Sequence, residues 1–146
     1  MSRAHAEEFG EQTGSELELR LPADADQLFL VRAMVTAIAT QNDFDLDTIA
    51  DLRLAVDEAA TRLVRAALPE ALLRCRVQVH DREFVFSGST SAGSDEAVGG
   101  LDQGFGWHVL RTLTDEVSAH HAPDPEDGSR LILTIDFTRR AEGTPG

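Results

Sequence analysis

The chain has 146 residues, enough for one domain with its own core and too few for two ordinary ones. Apolar residues make up 42% of it, a globular rather than a disordered composition. Twenty-six acidic residues against 13 basic ones leave a formal charge of −13, which repels nucleic-acid phosphates and speaks against direct DNA or RNA binding. The same acidity attracts a basic protein partner and also serves solubility.

No apolar run approaches the roughly eighteen residues of a membrane helix. The start, Met1-Ser-Arg-Ala-His-Ala-Glu-Glu8, lacks the apolar stretch of a secretory signal. The single cysteine, Cys75, cannot form an internal disulfide and sits in an apolar alternating run, as a small core residue would. The expectation is a cytoplasmic protein.

Residues 1–14 are polar without periodicity and read as a loose acidic tail before one domain spanning 15–138. Glu16-Leu-Glu-Leu-Arg-Leu21 alternates polar and apolar, the pattern of a half-buried strand, and Pro22 ends it. Asp24 or Asp26 can cap a helix running to about Thr40, with Leu28, Val31, Val35 and Ile38 on its inner face. Gln41 to Asp45 is a turn, and Asp45 can cap the next helix, beyond whose end lies Pro69.

Leu73 to Val79 and Glu83 to Phe86 form a hairpin about His80-Asp81-Arg82. Ser87 to Gln103 is small, polar and glycine-rich, a long loop of the kind that serves as a functional lid. A short helix opens at Gly104 and reaches Leu113. Val117 to Ala122 and Arg130 to Phe137 are the last strands, separated by a turn from Pro123 to Gly128, and 139–146 is a polar tail. The order of strand, two helices, hairpin, loop, helix and two strands predicts a two-layer α/β sandwich, a mostly antiparallel sheet with helices on one face.

The helix from Asp45 to Ala67 carries the densest information. Leu46, Ile49, Leu52, Val56, Ala59, Leu63 and Ala67 recur at spacings of three and four and mark one buried face. Glu58, Arg62 and Arg65 fall together on another side. A carboxylate four residues before a guanidinium makes either a surface ion pair or part of an active site. Other constellations say less. His120 and His121 point to opposite faces of a strand and cannot readily share a metal; His108 reads as an ordinary residue beside Trp107. No G-x-S-x-G setting accompanies the serines, which argues against a hydrolase.

Two motifs in this order of elements carry a resemblance. Ala55-Val-Asp-Glu-Ala-Ala-Thr-Arg62 is similar to the N-box, A-V-x-E-A-x-T-N, of the GHKL ATPase fold in its small anti-sigma-factor kinase branch, the RsbW and SpoIIAB type. Gly104-Phe-Gly-Trp-His-Val-Leu110 looks like the second glycine box, G-x-G-x-x-x-L, of the same family. The match runs from about Glu16 to Phe137 and is nearest to the branch serving the mycobacterial sigma-F system.

The resemblance implies a nucleotide site in which Glu58 acts as general base, with Arg62, Gly104 and Gly106 at the remaining positions. Two departures weaken that site. Where the family has an asparagine holding Mg²⁺, this chain has Arg62, a donor-only cation that repels a metal needing oxygen ligands. An arginine could still meet phosphate oxygens directly. The first glycine box, D-x-G-x-G, is missing its adenine-reading aspartate: the strand continues Ser87-Gly-Ser-Thr-Ser-Ala-Gly93, and the next aspartate is Asp95. Adenine would meet Ser87, Gly88 or Ser89 instead. The expectation is therefore weak ATP or ADP binding, doubtful Mg²⁺ binding, and no separate metal site.

The resemblance also implies partners. In this branch an arginine of the first helix contacts the sigma factor; counting back from Glu58 without a gap reaches Arg32. The first strand would help form a homodimer. The implied function is sequestration of an alternative, sigma-F-type sigma factor, with release by an anti-anti-sigma factor. The competing expectation is a serine kinase that phosphorylates that anti-anti-sigma factor with ATP, favoured by Glu58 and the glycines and opposed by Arg62.

Overall fold

A computed structural model describes residues 14–93 and 98–141. Residues 1–13 and 142–146, where tails are expected, lie outside the described residues, as does Asp95. The elements in chain order are β1 (Gly14–Pro22), a 3₁₀ turn (Ala25–Gln27), α1 (Leu28–Gln41), α2 (Leu46–Ala66), β2 (Leu72–His80), β3 (Glu83–Ala92), α3 (Gly104–Leu113), β4 (Glu116–Asp124) and β5 (Asp127–Arg140). The five strands form one antiparallel sheet in the order β1-β2-β3-β5-β4, so β1 and β4 are its edges. This is the expected two-layer α/β architecture.

Neither Asp24 nor Asp26 caps α1. Asp24 precedes the 3₁₀ turn without a side-chain cap, and Gln27, already helical, stands at the start of α1. The turn is closed instead by the backbone, Gln27 N–H to the Asp24 carbonyl at 3.0 Å. The expected inner face of α1 is correct: Leu28, Val31, Val35 and Ile38 are all buried. Asp45 does cap α2, its carboxylate accepting from the Thr48 N–H and hydroxyl. Those bonds hold the Asp45 carboxyl below its ordinary value.

α2 lies between α1 and α3, so its buried arc is wider than one stripe: Ala55 and Ala60 are buried beside Leu52, Val56, Ala59 and Leu63. Alanines there let the neighbouring helices approach closely. Two residues depart from the expected face. Leu46 is 83% exposed, because the periodic pattern extends one turn past the layer that covers Ile49. Ala67 is the C-cap and only half-buried.

β2 and β3 are joined through Asp81 and Arg82 alone, both at positive φ (48° and 64°), the mirror-image turn that matches strand twist. β3 then runs to Ala92, six residues past the expected strand end. Ser87, Ser89 and Ser91 alternate with buried Gly88, Thr90 and Ala92, and each pairs with β5. Gly88 is dictated by space, since a Cβ there would lie 3.0 Å from Leu63 Cδ1. The buried Thr90 hydroxyl donates to the Leu72 carbonyl at 2.8 Å.

β5 likewise overruns its expected end, which corrects the start of the C-terminal tail. Arg139 donates to Asp51 on α2 at 3.0 Å and to the Leu113 carbonyl ending α3 at 2.8 Å, and Arg140 pairs with Glu83. The core beneath the helices is built on Phe44, Phe84, Phe86 and Phe137. Cys75 is fully buried on β2, and burial pushes its thiol up to about 12. Thiolate is the reactive form. Iodoacetamide at mildly alkaline pH is therefore expected to leave Cys75 unmodified in the folded protein and to alkylate it in urea; rapid native alkylation, read by mass spectrometry, would contradict this burial.

Candidate functional site

The sequence-marked residues converge where α2 meets the start of α3. Glu58 and Arg62 stand one turn apart on α2 and pair through Oε2 and Nη1 at 3.0 Å. The arginine does more than form that pair. Its Nε donates to the Leu101 carbonyl at 2.8 Å, and Nη2 donates to the carbonyls of Gly100, at 3.1 Å, and Gln103. Its guanidinium also lies 5.8 Å from the Trp107 ring centre, within cation–π range. Only 12% of the Arg62 side chain remains exposed, against 28% for Glu58.

The two glycines serve different needs. Gly104 begins α3 at φ +91°, a backbone conformation in which side chains are strained. Gly106 is needed for closeness: a Cβ there would sit 2.2 Å from Glu58 Oε2 and 2.8 Å from Arg62 Nη1. The start of α3 thus rests directly on the ion pair. Four of the five N–H groups of a guanidinium are aimed at protein oxygens.

A nucleotide with its metal does not fit this donor set. The asparagine position holds a cation, Glu58 is engaged by it, and a phosphate would find a single N–H of Arg62 uncommitted unless it displaced the loop carbonyls. The cleft beside it, lined by Arg62, Arg65, Ala66, Gly99, Gly100 and Leu101, measures about 270 Å³. Pockets for drug-sized ligands run from about 300 to 1,000 Å³. The adenine side also differs from expectation. Ser87 and Ser89 alternate with the residues buried under the helices, so they face away from α2, and Gly88 is covered by Leu63. Among the described residues no group of three or more His, Cys, Asp or Glu could hold a metal ion.

Arg32, the expected partner-contacting residue, sits on α1 and bridges to α2 through Asp57, at 2.5 Å between Nη1 and Oδ1. Both side chains keep more than a third of their surface exposed. Phe29 and Leu30 on α1, Leu54 on α2 and Phe105 on α3 are exposed apolar residues of the helix layer. Arg32 is thus held by Asp57, the residue before Glu58 on α2, and takes no part in the Glu58–Arg62 pair. His120 pairs with Asp136 at 3.0 Å on the sheet, and His108 is exposed; neither joins the centre.

Three acceptors of Arg62 are backbone carbonyls, which no residue type marks in the sequence. Their one visible signal is the glycine pair before Leu101, where Gly100 turns the loop at φ +88°. Asp57 stands beside Glu58 in the N-box-like motif, and nothing in the sequence marks its partner on another helix.

A five-stranded sheet covered by α2 and a glycine-opened α3, with an acidic residue of α2 beneath that glycine turn, defines a recognised class. The profile of the histidine kinase-like ATPase domain matches residues 21–135, and the chain belongs to that family. Within it, the chain is 40% identical over 132 residues to the anti-sigma-F factor RsbW of Mycobacterium tuberculosis, covering 90% of this chain and 77% of that protein. It is 24% identical over 140 residues to the serine-protein kinase RsbW of Bacillus mycoides, covering 82% of this chain and 83% of that protein. In fold alone it is similar to a chain of the SiaB–SiaC complex from Pseudomonas aeruginosa, with a TM-score of 0.67 at 12% identity over 94% of this chain and 98% of that one. No helix among the described residues is long and apolar enough to cross a membrane.

Proposed function

We propose that this chain is an anti-sigma factor, which sequesters a sigma-F-type sigma factor and yields it to an anti-anti-sigma factor. The observation that carries the reading is the state of Arg62: the residue where a kinase would need a metal ligand is committed to four protein oxygens, so what remains for the fold to do is bind partners. The 40% identity to a relative named for that activity supports it. So does the acidic charge, which suits basic faces of sigma factors and polymerase. The Arg32–Asp57 bridge, flanked by exposed Phe29, offers a polar anchor with an apolar neighbour on the helix layer.

The protein acts in the cytoplasm as a homodimer assembled through β1. Among the described residues that strand is a sheet edge with an unpaired side, and Leu17 on it is 43% exposed. In a reconstituted transcription assay, stoichiometric protein is expected to block a polymerase carrying the cognate sigma factor and to spare the housekeeping polymerase. Adding the anti-anti-sigma factor restores transcription. Failure to block at excess protein would refute the anti-sigma reading.

The kinase reading keeps one feature, a carboxylate at the base position, and relatives named serine-protein kinases. Glu58, however, is already paired. With labelled ATP and the anti-anti-sigma factor, no phosphoserine above background is expected; robust transfer would put the kinase first.

A further inference from the structure

The acceptors around Arg62 have a chemistry of their own. The Glu58 carboxylate and the carbonyls of Gly100, Leu101 and Gln103 converge on one point, all of them oxygens. Such an all-oxygen set is what a hard cation takes as ligands. Left without a cation, one carboxylate and three carbonyls would face each other across a gap that only water could fill. Their mutual repulsion would drive the loop off α2. The Trp107 face beside them also favours a cation.

We propose that these oxygens form a cation site and that Arg62 is its resident, tethered cation. The guanidinium bridges α2 to loop 100–103 and so holds the start of α3 closed with no ligand present. Arg62 is on this view a positioning residue, and the closed loop is a built-in state of the chain rather than a response to nucleotide. Two features make the fork irreplaceable by a point charge. The bonds leave from three different nitrogens, and the acceptors come from two segments, Glu58 four residues away on the same helix and the loop carbonyls 38 to 41 residues away. A single ammonium cannot reach all four at once.

The loop carries its own reporters, since the amides of Leu101 and Gln103 are hydrogen-bonded within it, to Val98 and Gly100. Amide hydrogen exchange reads their opening. In Arg62→Ala, exchange over 100–106 is expected to rise about tenfold or more while β2 and β3 keep their protection. Methylguanidinium chloride at tens of millimolar, compared with sodium chloride, is expected to slow it again by entering the vacated site. In the unmodified chain, Mg-ADP is expected to leave loop exchange unchanged. Arg62→Lys, which keeps the charge but not the fork, guards against an alanine variant that fails to fold, and is expected to fall between the two.

Unchanged loop exchange in Arg62→Ala, or a rise spread evenly over the whole chain, would overturn the proposal. So would Arg62→Lys behaving as the parent, or a methylguanidinium effect matched by sodium. Slowing of the parent's loop exchange by Mg-ADP would overturn its ligand-free closure. None of these readouts involves a sigma factor, so they stand or fall separately from the transcription assay.

Discussion

Phe137→Ala is expected to lower the stability of the protein by about 3–5 kcal/mol, the cost of deleting a buried phenylalanine and leaving a cavity behind. Phe137 is 1% exposed on β5. Its ring stacks on Phe86 with centroids 5.1 Å apart and lies 6.1 Å from Phe84, which in turn meets Phe44 edge-on at 6.4 Å. The ladder ties β5 and β3 to the turn between α1 and α2, so removing its middle member leaves rings on both sides unsupported. For a chain of this length a loss of that size lowers Tm by roughly 10 °C or more. Calorimetry checks it. A drop of only a degree or two would mean that the aromatic cluster repacks around the gap.

The second large effect is expected at Gly106. Gly106→Val should destabilise the protein by about 2–4 kcal/mol, combining an overfilled contact with a broken, largely buried ion pair. The collision is with side-chain ends, Glu58 Oε2 and Arg62 Nη1, which can swing away only by giving up each other and the loop carbonyls. Helix propensity works in the other direction, since glycine is a weaker helix former than valine by roughly 0.3 kcal/mol, so the sign of the result tests the contact directly. Gly128→Ala is the matched control, because nothing lies within 4 Å of its added carbon, and it should be nearly silent. A double-mutant cycle adds the cause: with Arg62→Ala already present, Gly106→Val should cost clearly less, since one obstructing group is gone and Glu58, the nearer one, no longer loses a partner by swinging aside. Simple additivity would show that the helix contact and the ion pair are independent.

The order of elements was legible in the sequence because periodicity reports which face is buried, and most faces here are simple. Val31, Val35 and Ile38 on α1 and Leu52, Val56 and Leu63 on α2 are where the spacing puts them. Legibility failed where side chains are small. Ser87 to Ala92 has the composition of a loop, yet it is a strand: the serines stand on the open face, and glycine, threonine and alanine fit under α2. Composition cannot tell a loop from a strand that must be thin. It failed again at the helix ends, with Leu46 projecting beyond the layer and the 3₁₀ turn doing the work expected of Asp24.

At the candidate site the residues were visible and their relations were not. Glu58 and Arg62 are four apart, the spacing at which helix neighbours pair. That Arg62 also grips three carbonyls some forty residues on is a property of the backbone path, which no residue type announces. Gly104 and Gly106 look alike in a motif, but one answers to φ and the other to a neighbour's carboxylate. Arg32 was placed by counting along a resemblance, and its bridge to Asp57 emerges only once α1 is laid on α2.

The most direct test of the whole account is the affinity of the purified protein for its sigma factor, titrated with and without Mg-ATP. Tight binding is expected in both conditions, with dissociation constants equal within error, because Arg62 already holds the loop closed. Absence of binding, or an affinity raised about tenfold or more by nucleotide, a shift of about 1.4 kcal/mol, would contradict it.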